Sequence, residues 1–98
     1  MTFEVKFTEF SQKDFIHLDG SQRKQILKSL TKIETLGLQV GQELHGKLSD
    51  CRKLKHKKLG LRVVFRQSPL GIEIIEIVVV GKRSDNEVYE IAEKRLGR

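Results

Sequence analysis

The sequence is short of most things that would mark a familiar enzyme. Its one cysteine, Cys51, cannot form an intrachain disulfide and has no CxxC companion for a metal site, so a reducing, cytoplasmic setting is expected. The longest unbroken apolar run, Ile77 to Val80, is far too short to span a bilayer. The opening stretch, MTFEVKFTEF, alternates polar and apolar residues and lacks the basic-then-apolar layout of a signal peptide. No membrane partner is therefore expected. The three histidines, His17, His45 and His56, are scattered singly and read as surface residues rather than metal ligands. There is no Ser nucleophile motif, and GLQVGQELHG has neither the spacing nor the following Lys-Ser/Thr of a phosphate-cradling loop. Neither metal nor cofactor is expected.

Acidic residues are missing from one place in particular. The stretch CRKLKHKKLGLRVVFRQSPLGI, residues 51 to 72, holds seven Lys or Arg and no Asp or Glu. The chain carries +6 overall, and outside that block 12 basic and 13 acidic residues come to −1. The excess is local, which reads as a phosphate-binding footprint at least as readily as a solvated face.

What is present fits one domain, residues 1–98. Phe3, Val5 and Phe7 alternate within TFEVKFT, the signature of a half-buried strand. A short helix is expected over Ser11 to Leu18. Asp19 with Gln22 then forms a capping signal for a helix whose stripe is Ile26, Leu27, Leu30, Ile33 and Leu36, stopped at Gly37. Residues 37 to 50 read as a loop. Two basic strands follow, Cys51 to Lys57 and Gly60 to Gln67, then an SPLG turn and a β-branched strand, Ile72 to Val80. Ser84 and Glu87 cap a final short helix bearing Val88, Ile91, Ala92 and Leu96. The expected class is α+β: a small, mainly antiparallel four-stranded sheet with an N-terminal helical hairpin packed on it and a short C-terminal helix.

Alternation sorts the charges. Leu54, Leu61, Val63 and Phe65 share the core-facing side, so Lys53, Lys55 and Arg62 emerge together on the other. Arg83 leaves the last strand near them, and Tyr89, one residue off the final helix's stripe, can lean over the same face. Three or four cations and a tyrosine without paired carboxylates suit cleavage of RNA by its own 2′-hydroxyl. Arg would stabilise the phosphorane, and a lysine crowded by other cations has a lowered pKa that suits a base. A module that only binds nucleic acid would use the same cations to neutralise phosphates.

The residues LHGKLSDCRKLKHKKLGLRVVFRQ and IVVVGKRSDNEVYEIAEKRL resemble the second half of the RelE-type toxins of bacterial toxin–antitoxin pairs. VKFTEFSQKDFIHLD is similar to their first half. The resemblance implies ribosome-dependent cleavage of mRNA in the A site, by Lys53, Lys55, Arg62, Arg83 and Tyr89. It places Lys55 in the proton relay, Arg62 and Arg83 on the phosphate, and Tyr89 on the RNA. His45, Arg52, Lys57, Lys58, Arg66 and Lys82 would hold RNA or ribosome. The implied partners are a RelB-like antitoxin covering the basic face or displacing the final helix, the ribosome and its mRNA, and operator DNA only through the antitoxin complex. Leu61 stands where many relatives have an aromatic residue, and His45 where an Arg is common. The alternatives are a ParE-type gyrase inhibitor, a branch that usually lacks the full Lys/Arg/Tyr set, or a non-catalytic nucleic-acid-binding relative.

Overall fold

In a computed structural model, residues 2–82 and 84–98 are described, Asp85 by its backbone only. Each helix begins where a side chain can satisfy the free N–H groups of the first turn. Thr8 Oγ1 accepts from the Ser11 amide, and Ser11 Oγ accepts from the Thr8 amide, so α1 runs over Glu9–Ile16. This start is two residues earlier than the sequence suggested, because the cap, Thr8, lies upstream of Ser11. Asp19 and Gln22 form the same reciprocal pair for α2, Gly20–Leu36. Gly37 ends α2 at φ +62°, where a Cβ would come within 2.7 Å of the Phe3 ring. Ser84 accepts from the Glu87 amide and starts α3, Asp85–Arg95.

The strands among the described residues are β1 (Glu4–Phe7), β2 (Gln42–Glu43), β3 (Cys51–His56), β4 (Leu61–Gln67) and β5 (Ile74–Gly81). They form one sheet in the order β1-β5-β4-β3-β2. This corrects the expected four-stranded, mainly antiparallel sheet in two respects. The sheet is mixed: α1–α2 carries the chain across to β2 at the far edge, the antiparallel run β2-β3-β4-β5 works back, and β5 pairs with β1 in parallel. It is also five-stranded. The segment expected to be a loop contains two 3₁₀ turns and β2, which pairs antiparallel with β3. β5 starts later than expected, leaving Leu70 and Ile72 exposed in the preceding turn.

Both faces of the sheet are covered. On one side Leu61, Val63, Phe65, Ile75 and Ile77 pack under Ile26, Leu30 and Ile33 of α2, with Leu54 at the margin. On the other, Val64, Val78 and Val79 meet Val88 and Ala92 of α3. The register between β4 and β5 shifts at Val64/Phe65. That bulge lets Val78 and Val79 serve the α3 side while Ile77 and Val80 serve the other. No helix among the described residues is long and apolar enough to cross a membrane.

β1 pairs with β5 only as far as Ile77, so the edge of β5 is open beyond it. Asp14 of α1 fills that gap. Its Oδ2 accepts from the Val80 amide at 3.1 Å, and both carboxylate oxygens accept from Arg95, at 2.6 and 3.0 Å. Arg95 Nη1 also donates to the Val78 carbonyl at 3.0 Å. α3 is held a second time at its end, where Arg98 pairs with Asp50 and donates to the Lys47 carbonyl. α3 has only a short apolar stripe, and these two arginine clamps add to it.

Asp14→Ala should lower unfolding free energy by about 2–3 kcal/mol, the loss of a charged hydrogen-bond pair plus an unsatisfied Val80 amide. Glu9→Ala, which breaks an exposed i,i+4 pair with Lys13, should cost under about 0.5 kcal/mol. Urea melts of the two variants check the contrast. The Asp50–Arg98 pair predicts a pH effect. Hydrogen bonding to Arg98 holds the Asp50 carboxyl down at about 2, from 3.8. A depressed folded value stabilises above the unfolded value and is lost as pH falls, here from about 5 toward 2. Asp50 is 47% exposed, so the gain is screened. The melting-temperature gap between wild type and Arg98→Ala should close by pH 2, and should narrow at neutral pH in about 1 M salt.

Candidate active site

The hairpin β3–β4 builds the site by register. Lys55 lies directly opposite Arg62, Lys53 opposite Val64, and Leu54 opposite Val63. Directly paired residues project from the same face, so Lys53, Lys55 and Arg62 share the α3 side of the sheet. Like charges facing each other across a strand pair are destabilising. The register sets Lys55 and Arg62 in that position. Arg62 is also paired with Gly81 of β5, where an added Cβ would meet nothing within 4 Å. Among the described residues, nothing fills the floor beside Arg62.

Arg62 does not swing freely. Its Nη1 donates to the Gly60 carbonyl at 2.8 Å. Gly60 sits in the β3–β4 turn at φ +66°, a conformation that L residues resist. The turn thus orients the guanidinium along the sheet. Lys53 is buried, 8% exposed, with its Nζ 5.6 Å from the centroid of the Tyr89 ring. Tyr89 is positioned from below by Val88 and Ala92, both fully buried. A cation held over an aromatic face tolerates burial better than one in plain hydrocarbon.

The remaining expected residues separate. Lys57, Lys58 and Lys82 are exposed around the hairpin turn. Arg52 pairs with Phe65 and Glu43, which sets it on the α2 side rather than with Lys53 and Lys55. Arg66 is on the α3 side but is held by Glu76 at 2.7 Å and lies 3.9 Å from Asp50. Leu61 is fully buried in the α2-side core and does not reach the basic face. Arg83 lies outside the described residues. Burial raises the Cys51 thiol to about 11, which leaves no thiolate nucleophile near neutral pH. Among the described residues, no group of three His, Cys, Asp or Glu side chains is placed to hold a metal ion.

The geometry adds a feature that the sequence did not show. A cleft of about 270 Å³ opens beside Tyr89, walled by Gln42, His45 and Glu93 and floored by Leu44 and Leu48. Its residues come from β2, a 3₁₀ turn and α3. Only their convergence in space reveals them, and β2 itself has no periodic pattern to read.

No protein-family profile matches the chain. Individual proteins do. A RelE-like toxin protein of Escherichia coli is 33% identical over 96 residues, 98% of this chain and 99% of that protein. The mRNA interferase toxin RelE of E. coli K12 is 29% identical over 96 residues, again 98% and 99% of the two. Among solved structures, a mutant of E. coli toxin RelE in the free state superposes with a TM-score of 0.81 at 28% identity, covering 98% of this chain and 99% of that one. The same mutant toxin in complex with an antitoxin RelBc peptide superposes with a TM-score of 0.74 at 27% identity, covering 94% and 95%. Likeness over nearly the full length, in sequence and in fold, shows that the chain belongs to the RelE-like toxin family.

Proposed function

We propose that this protein is the toxin of a type II toxin–antitoxin pair, an mRNA interferase that cleaves messenger RNA on the ribosome. The observation that carries the reading is the cation row Lys55–Arg62 beside the Lys53–Tyr89 pair, on one face of a sheet whose relatives include an mRNA interferase. The toxin acts in the cytoplasm as a single domain, enters the A site, and works with no metal ion or other cofactor. A RelB-like antitoxin restrains it, consistent with the relative solved with an antitoxin peptide. It reaches operator DNA only through that complex.

In this reading the substrate brings its own nucleophile. The 2′-oxygen attacks the adjacent phosphorus, the bond from phosphorus to the 5′-oxygen breaks, and a cyclic 2′,3′-phosphate and a 5′-hydroxyl result. One group takes the 2′-OH proton and another delivers a proton to the leaving 5′-oxygen. Lys55 is exposed on the face and suits the proton relay, while Lys53 sits beneath Tyr89 and contributes fixed charge. Arg62, aimed by the Gly60 carbonyl, stabilises the phosphorane, and Arg83 at the GKR motif shares that role. Tyr89 orients the RNA by stacking. Lys57, Lys58 and Lys82 meet phosphates, which hold register without reading sequence, and His45 meets the RNA from the cleft beside Tyr89. Arg52 and Arg66 assist from the margins, Arg66 chiefly by fixing the sheet through Glu76.

Two outcomes test the reading. On saturating programmed ribosomes, Arg62→Ala and Arg83→Ala should each slow single-turnover cleavage by on the order of 10²–10³, about 3–4 kcal/mol of transition-state stabilisation, with much less loss of ribosome binding. A rate within about twofold of wild type would remove that arginine from the mechanism. The 5′ fragment should end in a 2′,3′-cyclic or 3′-phosphate, also in chelator with ribosomes kept intact. A plain 3′-hydroxyl would exclude attack by the 2′-OH. Gyrase-linked DNA breaks without RNA cleavage would favour the ParE-type alternative.

A further inference from the structure

The cleft beside Tyr89 is chemically unlike the surface around it. The neighbouring sheet face presents lysine and arginine, yet the cleft carries a carboxylate, Glu93, beside Tyr89. A carboxylate repels phosphate, so this is a poor seat for the RNA backbone. Its volume, about 270 Å³, is below the range of pockets for drug-sized ligands, roughly 300–1,000 Å³. It suits a single planar ring. Leu44 and Leu48, 6% and 2% exposed, give it an apolar floor, and the rings of Tyr89 and His45 stand on its walls. Gln42 joins it to the cation row, since Gln42 is paired with Lys53 in the sheet. Tyr89 belongs to both places: its ring walls the cleft, and Lys53 Nζ lies 5.6 Å from its centroid.

We propose that this cleft is a nucleobase subsite, taking the unpaired base next to the cleaved phosphate, with Glu93 accepting a hydrogen bond from the base's exocyclic amino group. The inference rests on the RNA-cleaving reading of the same face. Single-stranded RNA is read by stacking splayed bases on aromatic side chains and bonding their free edges. A carboxylate is the natural acceptor for an amino group such as cytosine N4, whereas uracil presents a carbonyl oxygen at the same position and is repelled. The subsite therefore discriminates cytosine from uracil, two rings that differ chiefly at that edge.

The chain has one tyrosine, so fluorotyrosine incorporation puts a single ¹⁹F reporter at residue 89. Uncleavable 2′-O-methyl trinucleotides differing only in a central C or U are titrated against the intact protein. Their backbones bind equally, so any difference belongs to the base. The C-centred probe should shift the ¹⁹F signal and bind about tenfold tighter than the U-centred one, the size of one good base-edge contact. Glu93→Gln, a substitution on the helix surface checked by thermal melting, should bring the two within about twofold, weakening C binding and relieving the repulsion of U. Equal affinities in wild type, discrimination that survives Glu93→Gln, or no ¹⁹F shift with either probe would overturn the subsite. The assay needs no ribosome. A protein that discriminates C from U here but cleaves no message would sink the interferase reading and keep the subsite.

Discussion

The ion pair between Asp14 and Arg95 determines where the functional face can be. It satisfies the Val80 amide and the Val78 carbonyl, edge groups of β5 that β1 stops too soon to reach. The same two side chains join α1, which packs on one side of the sheet, to α3, which packs on the other. Arg95 also lies 5.6 Å over the Phe10 ring, so the link carries some packing of its own. α3 is short, and few of its side chains are buried. Without an anchor it would be a poor platform for a fixed side chain. Anchored, it holds Tyr89 at a fixed height above Lys53.

A sheet covered on both faces normally has no room for a row of cations. Here the room comes from unequal coverage. The helical hairpin spans the α2 side broadly, while α3 covers chiefly Val64, Val78 and Val79. The bulge at Val78 turns an extra valine toward α3 and gives that helix a footing over β5. The ends of β3 and β4 nearest their turn are left outside its shadow, and there Lys55 and Arg62 project. Gly81 keeps the neighbouring position on β5 clear. Packing density in one place and openness beside it follow from the same register.

Much of this was legible in the sequence where the controlling interactions are local. The capping pairs Asp19/Gln22 and Ser84/Glu87 are three residues apart and appear as read, and strict alternation placed Leu54, Leu61, Val63 and Phe65 opposite Lys53, Lys55 and Arg62. The parallel pairing of β1 was not legible, since nothing in TFEVKFT shows which strand will lie beside it. β2 is two residues long between glycines and is a strand only because β3 pairs with it. Asp14 and Arg95 are 81 positions apart, and neither is unusual in its own neighbourhood. The cleft draws on residues 42 to 48 and 89 to 93, and no pattern along the chain joins them.

The acidic residues decide how the basic block is used. Arg66 is one of its seven cations, yet Glu76 and Asp50 bind it, and Asp50 binds Arg98 as well. At that end of β3 and β4 positive charge has become structure, closing the sheet and fixing the end of α3. At the other end the register sets Lys55 directly against Arg62. Two cations with similar starting chemistry thus have opposite uses according to what the sheet puts beside them. An ion pair between partly buried groups gains from its low-dielectric surroundings, whereas facing cations lose by them. The same physics that makes the Arg66 end a clamp sets Lys55 and Arg62 against each other at the opposite end of the hairpin.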